Sequence, residues 1–127
     1  MASGTIPNNG LYKGQGMFMS KAIFADEVTA FASNDNLNTA KFTVPGKYYS
    51  PSAAVGSTLS NKPAGENLFT MLVFNPFNSD TGQLGTATYQ YRLRMVIGFG
   101  GNIYMQQCHC ENNTTILYES WKKVTMS

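Results

Sequence analysis

The clearest hydrophobic pattern runs from Thr86 to Ile97. Tyr89, Tyr91, Leu93, Met95 and Ile97 alternate there with Thr88, Gln90, Arg92 and Arg94. A period of two predicts a half-buried β-strand, with the apolar set inward and the polar set toward solvent. Gly98-Phe99-Gly100-Gly101-Asn102 predicts a hairpin turn after it, and Ile103 to Cys108 the returning strand. Upstream, Leu68 to Phe74 is a short apolar run bounded by turn residues, the pattern of a buried strand. Lys41 to Val44 and Tyr48-Tyr49 read as two more strands. Between them Pro45 presets φ near −65° and Gly46 can take a positive φ. Ser50-Pro51-Ser52 closes the second, because proline cannot donate to a ladder. Ala53 to Asn67 and Asn75 to Gly85 read as loops, with Phe77 in the second expected to tuck back onto the body. Glu111 to Thr115 is a further turn, and Ile116 to Val124 the last strand. Six or seven short strands with turns between them, and no βαβ alternation, predict a mainly β fold: a small antiparallel β-sandwich or a curled sheet.

The first quarter of the chain is different. Met1 to Gly16 is rich in Gly and Asn and reads as an arm ordered by contacts with other chains. Phe24, Val28 and Phe31 fall on one helical face, and Asp26 and Glu27 suit a first turn. The expectation is one short helix from about Lys21 to Ala32, although Met17-Phe18-Met19 also fits a strand. The implied division is an N-terminal arm with its helix over residues 1–34, for attachment or inter-chain contact, and a β domain over 35–127.

Composition narrows the functional classes. At 127 residues the chain is one domain with enough surface to bury for a real core. Only 13% of residues are charged, and the nine Lys and Arg are scattered without a basic run, which argues against phosphate-driven nucleic-acid binding. The longest apolar run, Met71 to Phe74, is far short of the ~20 residues needed to span a bilayer, so no membrane insertion is expected. Eight Phe, seven Tyr and one Trp fit an aromatic core, burial against further copies, or a hydroxyl-rich ligand.

Catalytic and metal constellations are sparse. His109 is the single histidine, and the seven acids form no pairing motif. Gly98 to Gly101 is not followed by a helix pattern and so is no phosphate cradle. In a strand, Cys108 and Cys110 share a face while His109 points away. One chain thus offers two thiolate ligands where a closed zinc site needs four. The expectation is two reduced, metal-free cysteines, with an axial metal shared by several copies as the alternative. No cofactor is implied. Of the neighbours Tyr48 and Tyr49, one must face in and one out. The outward tyrosine, the polar strand face with Arg92 and Arg94, and Trp121 are the candidate ligand-binding residues, although a tryptophan such as Trp121 more often anchors a core than a ligand.

The order of these pieces resembles a known family. Asn36-Leu37-Asn38-Thr39, Pro45-Gly46-Lys47-Tyr48-Tyr49, Leu68 to Phe74, Asn102-Ile103-Tyr104 and Ser120-Trp121-Lys122-Lys123 follow one another as in the pyocin-knob domain of phage tail fibres and phage-tail-like bacteriocins. The resemblance covers roughly residues 35 to 124. It departs at Cys108 to Thr115, where members often carry a short Gly-rich hairpin. It implies a non-catalytic virion fibre protein, a homotrimer adsorbing to a bacterial surface polysaccharide. It gives no residue-level site. The opening residues lack a charged stretch followed by an apolar one, which fits release by host lysis. The alternative is a structural virion component, a short fibre or capsid decoration, whose N-terminal arm docks on another virion protein. A glycan-degrading enzyme ranks below both.

Overall fold

The computed structural model describes residues 28–77, 81–85, 90–110 and 115–125. Seven strands form one open sheet: β1 (Val28–Ala30), β2 (Gly46–Tyr49), β3 (Phe69–Phe74), β4 (Gln90–Gly98), β5 (Ile103–Cys110), β6 (Ile116–Tyr118) and β7 (Lys122–Lys123). They lie in chain order from β1 to β6, with β7 also paired to β5. All neighbours are antiparallel except β1 and β2, which run parallel. The architecture is therefore the curled sheet of the two expected forms. Among the described residues no helix is long and apolar enough to cross a membrane.

Register assigns the two faces. Tyr48 pairs with Met71, Met71 with Val96, and Val96 with Tyr104. These side chains share the inner face, where Phe31, Leu37, Phe42, Leu59, Phe69 and Val73 join them in the main core. Phe31, Phe42, Tyr48 and Phe69 form an aromatic cluster with ring centroids 5.1–6.0 Å apart, in edge-on, tilted and stacked pairs. Val73 pairs with Arg94 and Arg94 with Gln106, so the arginine lies on this inner face too. Tyr49, Leu72, Phe74, Tyr91, Leu93, Met95, Ile97, Ile103 and Met105 occupy the opposite, outer face.

This reverses the expected phase of β4. Arg92 and Arg94 are fully buried (0% exposed), whereas Leu93 and Met95 are half-buried and Ile97 is 39% exposed. The physical reason is acceptor supply. The segments flanking β2 place Phe31, Leu37, Phe42 and Leu59 over the inner face, and the first of them brings the Leu37, Phe42 and Thr43 carbonyls to the two guanidinium groups. A buried donor is tolerated once it is hydrogen-bonded. Val96 shares the phase of the arginines and is also fully buried. Thr86 to Tyr89, the expected start of this strand, lie outside the described residues.

Other local expectations are corrected. Lys41 to Val44 is not a strand: Ala40–Thr43 forms a 3-10 turn in which the Thr43 hydroxyl donates to the Ala40 carbonyl at 2.6 Å. The end of the expected first helix is strand β1, which places Phe31 in the core, upstream of the expected domain start at Asp35; Lys21 to Glu27 lie outside the described residues. The short helix stands instead within the expected loop from Ala53 to Asn67. Helix α1 (Ala53–Ser57) is capped by Ser52, whose hydroxyl accepts from the Val55 N–H at 3.2 Å. Gly56 lets it approach Asn67, since a β-carbon there would stand 1.6 Å from the Asn67 carbonyl oxygen. Phe77 does tuck back, edge-on to Tyr91 at 5.4 Å, while remaining 70% exposed. The last strand is split into β6 and β7 around Glu119-Ser120-Trp121.

Candidate functional site

The site is built on Arg94. The hairpin of β4 and β5 sets Gln106 directly opposite it, and Gln106 Oε1 accepts from Arg94 Nε at 2.8 Å and Nη2 at 2.5 Å. Nη1 donates to the carbonyls of Leu37 at 2.7 Å and Phe42 at 3.3 Å, and Nη2 also reaches Asn38 Oδ1 at 3.3 Å. Gln106 passes the bracing on, its Nε2 donating to the Glu119 carbonyl at 2.7 Å. The guanidinium carbon lies 5.2 Å from the Tyr118 ring centre and 5.4 Å from that of Trp121, a double cation–π contact. One arginine thus ties the Leu37–Phe42 segment, β5 and the 118–121 segment together. Burial lowers the Arg94 pKa from its ordinary value. Burial also pushes the Tyr118 hydroxyl up to about 12, with the Arg94 charge opposing it.

Trp121 is half-buried and fixed on a second side. Its Nε1 donates to the Asn61 carbonyl at 2.9 Å. Asn61 has φ 61°, a left-handed conformation that asparagine tolerates better than most residues, and its Nδ2 donates to Asn36 Oδ1 at 2.7 Å. Beside these residues lies an open groove of about 330 Å³, lined by Asn38, Asn61, Lys62, Gln106, Tyr118, Glu119, Ser120 and Trp121. It has the parts of a site for a hydroxyl-rich ligand: aromatic surface held in place, amides, a hydroxyl and charged ends.

The expected site residues are thus divided. Trp121 stands at this groove. Arg94 lies behind it as a brace, out of reach of solvent. Arg92 is likewise internal: its Nε donates to the Thr43 carbonyl at 3.0 Å, and its two terminal nitrogens to Tyr91 at 2.7 Å and Gly82 at 2.6 Å. These two are corrected from surface contacts to buried ties, for the reason that reverses the strand. Tyr48 is the inward tyrosine at 6% exposure, with its hydroxyl on the Val44 carbonyl at 2.5 Å, and Tyr49 the outward one at 36%. Tyr49 lines a shallow depression with Leu68, Ile97 and Phe99, away from Trp121. Nothing in the sequence marks Asn38, Asn61, Lys62 and Tyr118 as neighbours, because segments from distant parts of the chain assemble the groove. Gln106 alone could have been found, since fixing the 98–102 turn sets it opposite Arg94.

Cys108 and Cys110 share the inner face as the strand period requires, fully buried against Leu84, Ile116 and Tyr118. Burial raises the Cys108 thiol pKa, against the lowering effect of Arg94 and Arg92. His109 points the other way and stacks on Tyr91 with centroids 5.4 Å apart. Among the described residues, no three or more His, Cys, Asp or Glu are arranged to hold a metal ion. A larger groove of about 410 Å³ runs beside β1 and β2, lined by residues that include Asp35, Lys41, Pro45 and Lys47. Its Asp35 carboxylate already accepts from the Ala32 N–H at 2.8 Å and meets Lys41 Nζ at 3.4 Å.

No family model matches the chain, and no curated relative matches it. Among solved structures, a C-terminal fragment of the R1 pyocin fibre of P. aeruginosa is similar in fold, with a TM-score of 0.54 at 13% sequence identity. The match covers 80% of this chain but only 22% of that fragment. The described residues therefore have a pyocin-fibre-like fold, as the order of sequence motifs implied.

Proposed function

We propose that this chain is the non-catalytic recognition domain of a phage or phage-tail-like fibre, binding a bacterial surface polysaccharide in the Trp121 groove. The observation that carries this reading is the Trp121 ring itself, held by Arg94 on one side and by Asn61 on another while still bordering an open polar groove. An aromatic fixed before binding loses little conformational entropy when a sugar face packs on it. The fibre-like fold supports placement on a virion. The outer sheet face supports assembly as a homotrimer. It is predominantly apolar along β3, β4 and β5, and Phe31, Leu37, Phe42 and Leu59, from the segments flanking β2, pack on the other side. Three weak sites on one rigid tip raise avidity without any new contact. Residues 1–27 would serve as the attachment arm to other virion proteins.

The experiment is incubation of labelled protein with a panel of bacterial cells and purified envelope polysaccharides, alongside Ser120→Trp. Ser120 is exposed and lines the groove, so the larger ring should block binding while leaving the melting temperature unchanged. Wild-type binding that survives Ser120→Trp would remove the groove from the proposal. Binding to no cell or polysaccharide, with virion attachment lost on deletion of residues 1–20, would favour the purely structural role.

A further inference from the structure

We infer that the Trp121 groove selects saccharides bearing carboxylate or phosphate groups over neutral ones. This rests on the groove being the glycan site and goes beyond it by naming the ligand's charge. The starting observation is a buried cation paired only with neutral groups. Arg94 is fully buried, and its acceptors are the Gln106 and Asn38 side-chain amides and the Leu37 and Phe42 carbonyls. Among the described residues no carboxylate forms an ion pair with it. Its hydrogen bonds are satisfied, but its charge is not cancelled. A charge without a counter-ion in a low-dielectric interior is weakly screened and projects toward the nearest opening. That opening is the groove, because Arg94 packs on Tyr118 and Trp121 and bonds Asn38 and Gln106, and all four residues line it.

Surface charges at the groove do not reverse this. Lys62 adds a second cation, its Nζ bonded to the neutral Asn67 Oδ1 at 3.0 Å. Glu119 is the carboxylate among the lining residues, and its Oε1 lies 4.0 Å from Lys122 Nζ, which partly offsets it. Positive charge is left in excess. An anionic group on a sugar packed against Trp121 would meet that field at short range and keep its exocyclic oxygens near the Asn38 and Asn61 amides.

The test uses full-length protein and an immobilised panel of acidic bacterial envelope polysaccharides. Each is presented untreated, after carbodiimide–borohydride reduction of its carboxylates, and after removal of its phosphates with aqueous hydrogen fluoride. The expected result is a loss of roughly tenfold in affinity on one of these treatments, the arm identifying the anion, with the difference shrinking as salt is raised from 50 to 500 mM. Lys62→Gln should weaken binding to the untreated polymer several-fold more than binding to the treated one. Lys47→Gln, on β2 away from the groove, should change neither. Equal affinity for untreated and neutralised polymer would overturn the inference and leave glycan binding standing. Absence of binding to every polymer would overturn both.

Discussion

Arg94→Ala is the sharpest test of how this domain is held together. The strand alternation alone places the residue on a solvent face, where truncation costs less than about 0.5 kcal/mol. The buried network gives a different magnitude. Truncation orphans Gln106 Oε1 and the Leu37 carbonyl, both bonded within 2.8 Å, and weakens the pairing of the Phe42 carbonyl and Asn38 Oδ1 at 3.3 Å. Each orphaned buried acceptor costs about 1–3 kcal/mol. The vacated volume and the lost cation–π contacts add to this, so a total of about 4–6 kcal/mol is expected. Against a typical domain stability of ~5–15 kcal/mol, that brings the protein close to unfolding at 25 °C. Arg94→Lys should recover only part, because an ammonium cannot span the acceptors on β5 and on the 37–42 segment while also packing on both rings. Urea denaturation followed by Trp121 fluorescence reads both variants, since that indole packs on the guanidinium. A loss below about 1 kcal/mol for Arg94→Ala would refute the network as a source of stability and restore the expected strand phase.

Three further outcomes are expected. Gly56→Ala should cost about 3 kcal/mol or more in the same assay, because its β-carbon meets the Asn67 backbone and not a movable side chain. Above pH 10 the protein should lose stability. An unfolded tyrosine ionises near 10.0 but folded Tyr118 only at about 12, so the native state keeps that proton longer and its contribution fades as pH rises through that window. Melting temperatures from pH 8 to 12 check this, and Tyr118→Phe should flatten the decline. Met95→Glu, on the outer face, should reduce the particle mass in light scattering from three chains to one while leaving secondary structure by circular dichroism intact. A stable wild-type monomer at micromolar concentration would defeat the trimer instead.

What the sequence determined by itself was local. Leu68 to Phe74, the 98–102 turn and the stop at Pro51 follow from propensity, turn chemistry and proline's missing donor. They survive in the fold as β3, the β4–β5 hairpin and the end of β2. The single inward member of the Tyr48-Tyr49 pair was legible for the same reason, though not which one. Tertiary structure decided what depended on distant partners. The alternation on β4 fixed which residues share a face but not which face is covered. Leu37 and Phe42 lie far from Arg94 in sequence, and their carbonyls make burying the arginine acceptable. Lys41 to Val44 looks like a strand but turns as a 3-10 segment, where the Thr43 carbonyl takes Arg92 and the Thr43 hydroxyl accepts from the Leu84 N–H. Trp121 was recognisable as a candidate from its residue type alone. The groove beside it was not, because its walls come from the Asn38 loop, the Asn61 turn, β5 and the 118–121 segment, and only the folded sheet brings them together.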